Sequence, residues 1–485
     1  MVLLADLLHP RSRLLPLLHE THERDGHLSR ESVALIARSA GIPVAEAWEA
    51  ATSYPSFSFA PPTSDVRVCT GLSCALNGAV ASTGGTAVGC QFRCFDAPAP
   101  GADAAFPETS IRQAGPLLAP DIDDWVGLDS VRQLSQSAAL DIVEQSGLRG
   151  RGGAYFPAGR KWRAAIDEQR PIALVVNAEE GEPGVFKDRA LLGRRPRRFL
   201  EGLAIAAQVL QPAVIVIFIN GEARAARESL ERTLAAHPGL LPNAPVVIPG
   251  GGGYVLGEET TLLNAIEGRK PVPRLRPPYP VESGLYGMPT VINNVETLAN
   301  LSIIFRDGPD RFRTRGTTDA PGTKLLSISG RVQRPGLYEF PLGTPLSGAI
   351  ALAGGAIEGQ VTAVLAGGPS GGFLPASELH RPLLPGLMHP TGAVTGSGGM
   401  VVLDSTSDIR AAALAMAAFN AVESCGKCTP YREGNARVLD MLVERNTTDL
   451  DDLLEVVGVA SLSGLGQMAP GPVRSARLFW PELFE

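Results

Sequence analysis

Six cysteines fall into three close pairs, Cys69/Cys74, Cys90/Cys94 and Cys425/Cys428. In a reducing compartment, clustered thiols favour metal or redox chemistry over structural disulfides. The bland alternative is six small buried hydrophobes, which suits scattered cysteines better than tight pairs. The first two pairs read C-x4-C and C-x3-C, and four thiolates suit a 2Fe–2S cluster. The third pair, in ESCGKCTPYREG (423–434), offers only two thiols. The seven histidines lie outside every dense motif. A histidine general base, a Rieske centre or a catalytic zinc site therefore has no support. His19 and His22 read as solvated side chains of a surface helix.

Two glycine-rich segments point to phosphate. In GLRGRGGAYFPAGRKW (147–162), Gly150, Gly152 and Gly153 let backbone N–H groups approach a ligand, and Arg151 and Lys161 add positive charge. In PGGGGYVLGEETTLLNAIEG (249–268), a strand runs through glycines into a helix beginning near Glu258. Strand, glycine loop and helix N-terminus together bind phosphate through amides and the helix dipole. Neither segment is G-x-G-x-x-G with a distal acidic residue, or a Walker A loop. Between them, VVNAEEGEPGVFKDRALL (175–192) places Asn177, Glu179, Glu180 and Glu182 just beyond a buried strand, where open α/β sheets take ligands. The competing reading of this acidic run is a solvated loop.

The elements that must position these residues follow from periodicity. Residues 1–55 form a helical leader, with Ser29 as N-cap of one helix and a second helix from Val44 to Thr52. Residues 56–125 are rich in Gly, Ala and Pro, with a strand-like VRVC before Cys69. Residues 126–318 alternate helices with the buried runs 172–178, 213–221 and 244–250, which predicts an α/β sheet. Residues 319–405 read as short strands with Pro/Gly turns, and 406–485 as helices. The expected fold class is thus a multidomain α/β chain, consistent with 485 residues and about three domains. A net charge of −7 without a basic block argues against nucleic-acid binding. The longest apolar stretch, Leu203–Ile219, is broken by Gln208, Gln211 and Pro212, so no membrane insertion is expected. An early Asp6 and the lack of a small-residue cleavage site leave a cytoplasmic location as the default. Of 43 basic residues only Lys161, Lys187, Lys270, Lys324 and Lys427 are lysines.

These motifs, with RLRPPYPVESGLYGMPTVINNVETLANL (274–301), resemble the NADH-binding flavoprotein subunit of respiratory complex I. They also resemble its soluble relatives, the diaphorase subunit of NAD-reducing hydrogenases and the beta subunit of NAD-dependent formate dehydrogenases. GLRGRGGAYFP, NAEEGEPG, YVLGEET and NNVETL match the family wording GLRGRGGAGFP, NADEGEPG, YICGEET and NNVETL nearly letter for letter. The resemblance spans about 140–470 and implies a Rossmann-like FMN domain over 126–318. It implies FMN contacts from Gly150, Arg151, Gly152, Gly153, Lys161, Asn177, Glu180, Tyr254, Gly257, Glu258, Glu259, Asn293 and Asn294. It implies NADH contacts from Phe156, Glu182, Glu259, Arg276 and Tyr279, with hydride passing to FMN and no catalytic side chain. Arg276–Pro277–Pro278–Tyr279 stands where the family has Lys–Pro–Pro–Phe. Tyr155 replaces a glycine and is expected to add bulk at the nicotinamide entrance. Ala164 stands where some members stack an aromatic on adenine, and Glu179 replaces an Asp.

The spacing of Cys69, Cys74, Cys90 and Cys94 resembles the thioredoxin-like 2Fe–2S partner of that flavoprotein, as does the leader over 30–54. The chain therefore resembles a fusion of the two. With 15 residues between Cys74 and Cys90, the resemblance implies a shortened thioredoxin-like domain over 56–125. Residues 319–405, with AGGPSGG at 366–372, resemble the soluble-ligand-binding β-grasp domain. ESCGKCTPYREG and SLSGLGQ resemble ESCGKCTPCREG and SLCGLGQ, which hold a 4Fe–4S cluster. Here Cys425 and Cys428 remain while Tyr431 and Ser463 take the other positions, so that cluster is expected to be absent from the C-terminal helical bundle. The implied function is electron transfer between NAD(H), FMN and 2Fe–2S within a larger complex. Its partner would be a formate dehydrogenase-, hydrogenase- or similar catalytic subunit. The alternatives are a non-catalytic assembly or regulatory paralogue, or a flavoenzyme with another donor.

Overall fold

The computed structural model describes residues 9–61, 67–79, 86–99, 104–122 and 124–485. Its centre is a four-stranded sheet with strands Val246–Gly250, Val214–Asn220, Ala173–Ala178 and Thr290–Asn294 in that spatial order, all parallel. Parallel strands are covered on both faces and read as continuous apolar runs, which makes 173–178 and 214–220 legible in the sequence. The alternation of side chains across a strand sends Leu174, Val176, Ile215 and Ile217 to one face. There they meet Leu203 and Ala206 of the helix Pro196–Leu210 and Leu298 of the helix Val295–Asp307. Val175, Val216, Phe218 and Ile248 point the other way, onto Leu14, Leu15, Leu18, Val33 and Ile36 of the leader. The leader thus supplies the second layer of the central sheet.

The leader helices run Leu14–Asp25, Arg30–Ala40 and Val44–Ala51. Ser29 caps the second by accepting the Ser32 N–H, and Gly41 closes it in the left-handed region at φ +66. His19 departs from its expected solvated position. It is buried, and its Nε2 lies 2.8 Å from the Gly250 carbonyl. Burial pulls its pKa down to about 4, so the ring is neutral.

A six-stranded mixed sheet follows, in the order Gly372–Pro375, Val361–Ala366, Gly399–Asp404, Thr323–Gly330, Gly336–Pro341 and Ile111–Gln113. Its last strand comes from the cysteine-bearing segment. The buried Glu339 carboxylate fastens that segment by accepting the backbone N–H groups of Gly115, Leu117 and Leu118, each at 3.0 Å. Among the described residues, the thioredoxin-like region is reduced to the parallel pair Arg67–Cys69 and Thr86–Val88 with the short helix Leu72–Leu76. It leans on the larger sheet through Ser73 Oγ, 2.9 Å from Ser329 Oγ, and Asn77 Nδ2, 3.1 Å from the Gly330 carbonyl. Helices Ile409–Val422, Thr429–Val443, Leu450–Ala460, Gly464–Met468 and Gly471–Phe479 complete the chain. No helix among the described residues is long and apolar enough to cross a membrane.

Candidate functional site

The strand order of the central sheet reverses between Ala173–Ala178 and Thr290–Asn294, because the chain builds outward in one direction and then returns to the other side. The crevice beyond the carboxyl ends of these two strands is a topological switch point. Residues 290–294 stand out in the sequence only as part of a motif, although they form the strand that makes the crevice. The first glycine loop enters here. A Cβ on Gly152 would sit 3.1 Å from Asn294 Cβ, and Gly153 has φ +124, so both close approach and backbone conformation favour glycine. Lys161 Nζ donates to the Ile292 carbonyl at 3.2 Å.

Arg151 is a correction. Its buried guanidinium donates to the carbonyls of Arg149, Pro321 and Thr323 at 3.0, 2.8 and 3.0 Å. The side chain braces the loop against the start of the larger sheet and does not offer its charge to a phosphate. Tyr155 is a second correction. It has φ +54 and is buried, so its bulk is taken up inside the protein. Phe156 beside it is 49% exposed and Tyr279 is 51% exposed, so both rings are open to solvent.

The acidic loop folds over the strand ends. Asn177 Nδ2 donates to the Gly257 carbonyl at 3.1 Å, joining this loop to the second glycine segment. Glu180 accepts the Asp188 N–H at 2.7 Å and Arg189 Nε at 2.9 Å, which caps the helix Lys187–Arg194. Glu258 likewise caps Glu259–Ile266, accepting from Thr260 N–H at 3.0 Å and Thr261 N–H at 2.8 Å. These two carboxylates hold helices, while Glu259 reaches Arg276 at 3.0 Å and Lys161 at 3.6 Å across the crevice rim. Glu179 accepts from Asn220 Nδ2 at 2.6 Å, and burial pushes its pKa up to about 8. Glu182 accepts from Ser397 Oγ at 2.6 Å, and burial pushes its pKa up to about 7. One oxygen of each, Glu179 Oε2 and Glu182 Oε1, is buried without a partner, as is the Tyr155 hydroxyl. Orphaned polar atoms around a glycine-lined crevice suit a polar cofactor with several hydrogen-bonding groups, as FMN is.

A buried ionic network behind this crevice has no counterpart in the sequence reading. Lys187 Nζ lies 2.7 Å from Asp188 Oδ1, 3.2 Å from Glu296 Oε2 and 3.1 Å from Asn294 Oδ1. Asn294 Nδ2 donates to Asp188 Oδ2 at 2.7 Å, so the amide is locked in one orientation. Asn293 is fixed in the same way, accepting from Trp162 Nε1 at 2.9 Å. Lys324 pairs with Glu296 and donates to the carbonyls of Arg151 at 3.2 Å and Ser397 at 2.8 Å. Burial pulls Lys324 down to about 8. The available signal is the scarcity of lysine: Lys161, Lys187, Lys324 and Lys427 all lie in this site or against it, which leaves only Lys270 outside. The larger sheet adds Ser370, whose Oγ is 2.5 Å from the Tyr254 hydroxyl.

The four N-terminal thiols come together. The nearness of Cys74 and Cys90 holds the Cys69 thiol well below the usual range, and Cys90 Sγ is 3.7 Å from Cys94 Sγ. Backbone N–H groups point at two of the sulfurs: Ala99 to Cys74 at 3.3 Å and Phe92 to Cys90 at 3.4 Å. Among the described residues no three His, Cys, Asp or Glu side chains converge as a single-ion site. A linked row of four sulfurs with amide donors suits a two-iron cluster. Phe95, next to Cys94, packs edge-on against Phe186 at the end of the acidic loop with ring centroids 5.2 Å apart, and Arg189 lies 4.5 Å over the Phe92 ring, so the sulfur site abuts the crevice loop.

The C-terminal thiols lie elsewhere. Cys425 and Cys428 are half-buried, free, and line a cavity with Tyr254, Pro273, Glu423, Lys427, Tyr431 and Ser463. Its volume of about 10 Å³ holds about one water molecule. Tyr431 is buried with its hydroxyl 3.4 Å from Asn420 Oδ1, and Ser463 caps the helix Gly464–Met468 by accepting the Gly466 N–H at 3.2 Å.

A parallel sheet with two glycine loops at its switch point, joined through an acidic loop to four clustered thiols, defines a flavin- and iron–sulfur-type electron-transfer protein. The chain belongs to the family of the FMN-binding NADH-quinone oxidoreductase subunits. The Nuo51 FMN-binding domain matches residues 143–303 and the thioredoxin-like [2Fe-2S] ferredoxin matches 3–98. An SLBB domain matches 325–374. The NADH-ubiquinone oxidoreductase-F iron-sulfur binding region matches 411–485. This last match runs against the expected absence of a 4Fe–4S cluster, because the whole region is retained. The NADH-quinone oxidoreductase relative from Aquifex aeolicus is 36% identical over 384 residues, covering 74% of this chain and 88% of that protein. The NADP-reducing hydrogenase protein HndC of Solidesulfovibrio fructosivorans is 36% identical, covering 75% and 80%. A chain of an NAD+-reducing [NiFe]-hydrogenase in the H2-reduced state superposes with TM-score 0.84 at 30% identity, covering 99% of this chain and 92% of that one.

Proposed function

We propose that this chain is the FMN- and 2Fe–2S-bearing electron-transfer component of a larger redox complex, exchanging electrons with NAD(H). The carrying observation is the packing of Phe95, next to Cys94, against Phe186 at the end of the acidic loop, with ring centroids 5.2 Å apart, which sets the sulfur site against the crevice loop. FMN, when bound, accepts an electron pair from the nicotinamide and releases electrons singly. Lys161, Gly152 and Gly153 line its crevice, with Asn177, Asn293 and Asn294 held in fixed orientation beside it. Arg151, Glu180 and Glu258 serve this site as braces. Phe156 and Tyr279 stack on the dinucleotide, and Arg276 with Glu259 forms the charged rim. Glu182, with a pKa near 7, holds or releases a proton next to the crevice.

At the C-terminal region only two of four ligand positions carry thiols, and phenol and hydroxyl oxygens are poor partners for iron–sulfur sites. The region therefore keeps its fold without completing a 4Fe–4S cluster, and electrons leave through the 2Fe–2S site. The names of the relatives favour a hydrogenase or a quinone-reducing complex as partner over a formate dehydrogenase.

Iron and flavin counts on anaerobically purified protein test this reading. About one FMN with about two irons is expected, with flavin bleaching and a reduced 2Fe–2S electron-paramagnetic-resonance signal on adding NADH. About six irons per FMN defeats the loss of the second cluster. Flavin that NADH does not reduce favours another donor, with NADPH as the first to try. Protein without flavin favours an assembly role.

A further inference from the structure

We propose that Cys425 and Cys428 form a thiol–disulfide modification site whose oxidation weakens the binding of NADH. The inference rests on the reading that no 4Fe–4S cluster is completed here. Cys425–Gly426–Lys427–Cys428 is a turn between the helices Ile409–Val422 and Thr429–Val443, with Cys428 as N-cap of the second. Gly426 has φ +77 and open space around its Cβ position, so the turn has room to tighten. Both thiols are half-buried, so part of each stays open to solvent, and both line the same cavity. C-x-x-C is the spacing of exchangeable dithiols.

The turn grips the proposed nucleotide site at two points. Glu423, just before it, accepts the Tyr254 N–H at 2.8 Å and so holds the second glycine loop. Lys427, between the two cysteines, donates Nζ to the Pro273 carbonyl. Pro273 begins the segment that carries Arg276 and Tyr279. Downstream, Arg274 ties the same segment to the Gly284 carbonyl at 3.0 Å and to Glu267 at 2.9 Å. This segment is a strap along the crevice rim, and Lys427 ties it to the C-terminal region.

The reaction uses a low-molecular-weight disulfide, RSSR. One cysteine thiolate attacks a sulfur of RSSR, forming a mixed disulfide and releasing one RSH. The second cysteine displaces the other RSH and closes the Cys425–Cys428 bond. Two S–H bonds are lost, one S–S bond forms, and RSSR is reduced to two RSH that carry away both protons. Closure brings the sulfurs to about 2.05 Å. That tightens the turn around Lys427 and draws its ammonium off the Pro273 carbonyl, which frees the strap.

The test equilibrates the full cofactor-loaded protein anaerobically with glutathione at stepped ratios of oxidised to reduced form. Free thiols are then alkylated, and the peptide spanning 425–428 is weighed. The expected result is conversion from two alkylated thiols to an internal disulfide, with KM for NADH rising about fivefold and kcat within about twofold. Cys425→Ser should hold KM at the reduced value at every ratio. Lys427→Gln should raise KM and remove its dependence on the ratio. Two alkylatable thiols at all ratios overturn the site, and a disulfide with unchanged KM overturns the coupling. Thiols closed to alkylation together with about six irons per FMN defeat the underlying reading instead, and the inference falls with it.

Discussion

The two cysteine-bearing regions have lost opposite things. The N-terminal one keeps four thiols on a scaffold whose own sheet, among the described residues, is one pair of short strands beside one short helix. It stands because Ser73, Asn77 and the Glu339-anchored segment lean on the larger sheet. The C-terminal one keeps five helices and an apolar core including Met416, Val438, Leu442, Leu454 and Val473, yet only two thiols face its cavity. Tyr431 and Ser463 fill the other positions with a packed ring and a helix cap. Scaffold and ligand set are thus separable. Packing is a sum over many contacts and survives single changes, whereas a cluster needs each of its ligands.

Four experiments sharpen or break this contrast. The largest effect is expected for Cys94→Ser. It should remove the 2Fe–2S signal and lower turnover with one-electron acceptors by about a hundredfold or more, while NADH still bleaches the flavin. Retained turnover would mean that electrons leave another way. Next, the pair Tyr431→Cys with Ser463→Cys should restore the full ligand set and raise iron from about two to about six per FMN. No gain in iron would mean that the cavity itself has closed.

The third concerns Glu179, on the loop beside the N-terminal thiols. Its folded pKa of about 8 lies above the ordinary value of 4.5, so the folded protein keeps a proton that the unfolded chain releases. Its stabilising contribution is full below pH 4.5 and is lost as pH rises through 8. Glu179→Gln should therefore flatten the pH dependence of urea unfolding between these values, by roughly 5 kcal/mol. Parallel curves for variant and parent would contradict the assignment. The smallest effect belongs to Tyr431→Phe, which removes one long hydrogen bond to Asn420 and should cost less than about 1 kcal/mol. A loss of several kcal/mol, or a loss of bound iron, would make Tyr431 more than a packing residue.

Legibility follows physical range. The buried strands 173–178 and 214–220 are plain in the sequence because an unbroken apolar run has few other uses. Thr290–Asn294 is hidden, because polar Asn293 and Asn294 end a strand whose burial depends on its neighbours. Arg151 looks like a ligand cation because its charge is visible in sequence, whereas the three carbonyls that absorb it come from the turn at 149 and from 321–323. Tyr155 shows only its bulk in the sequence, but φ +54 sends the ring inward. His19 reads as solvated because helical periodicity alone does not say that the leader covers a sheet face.

The sequence alone determined the chemistry available: four thiols in two short-range pairs, glycines where backbone must approach a ligand, a two-thiol remnant, and the family those motifs carry. These are properties of residue type and close spacing, which chain connectivity preserves. Tertiary structure alone decided which charges are free and which are braces, and that the leader is the second layer of the central sheet. It also joined Phe186 to Phe95 and Lys427 to Pro273. Such contacts join segments about 90 to 154 residues apart, and their geometry follows from the packing of every element between them.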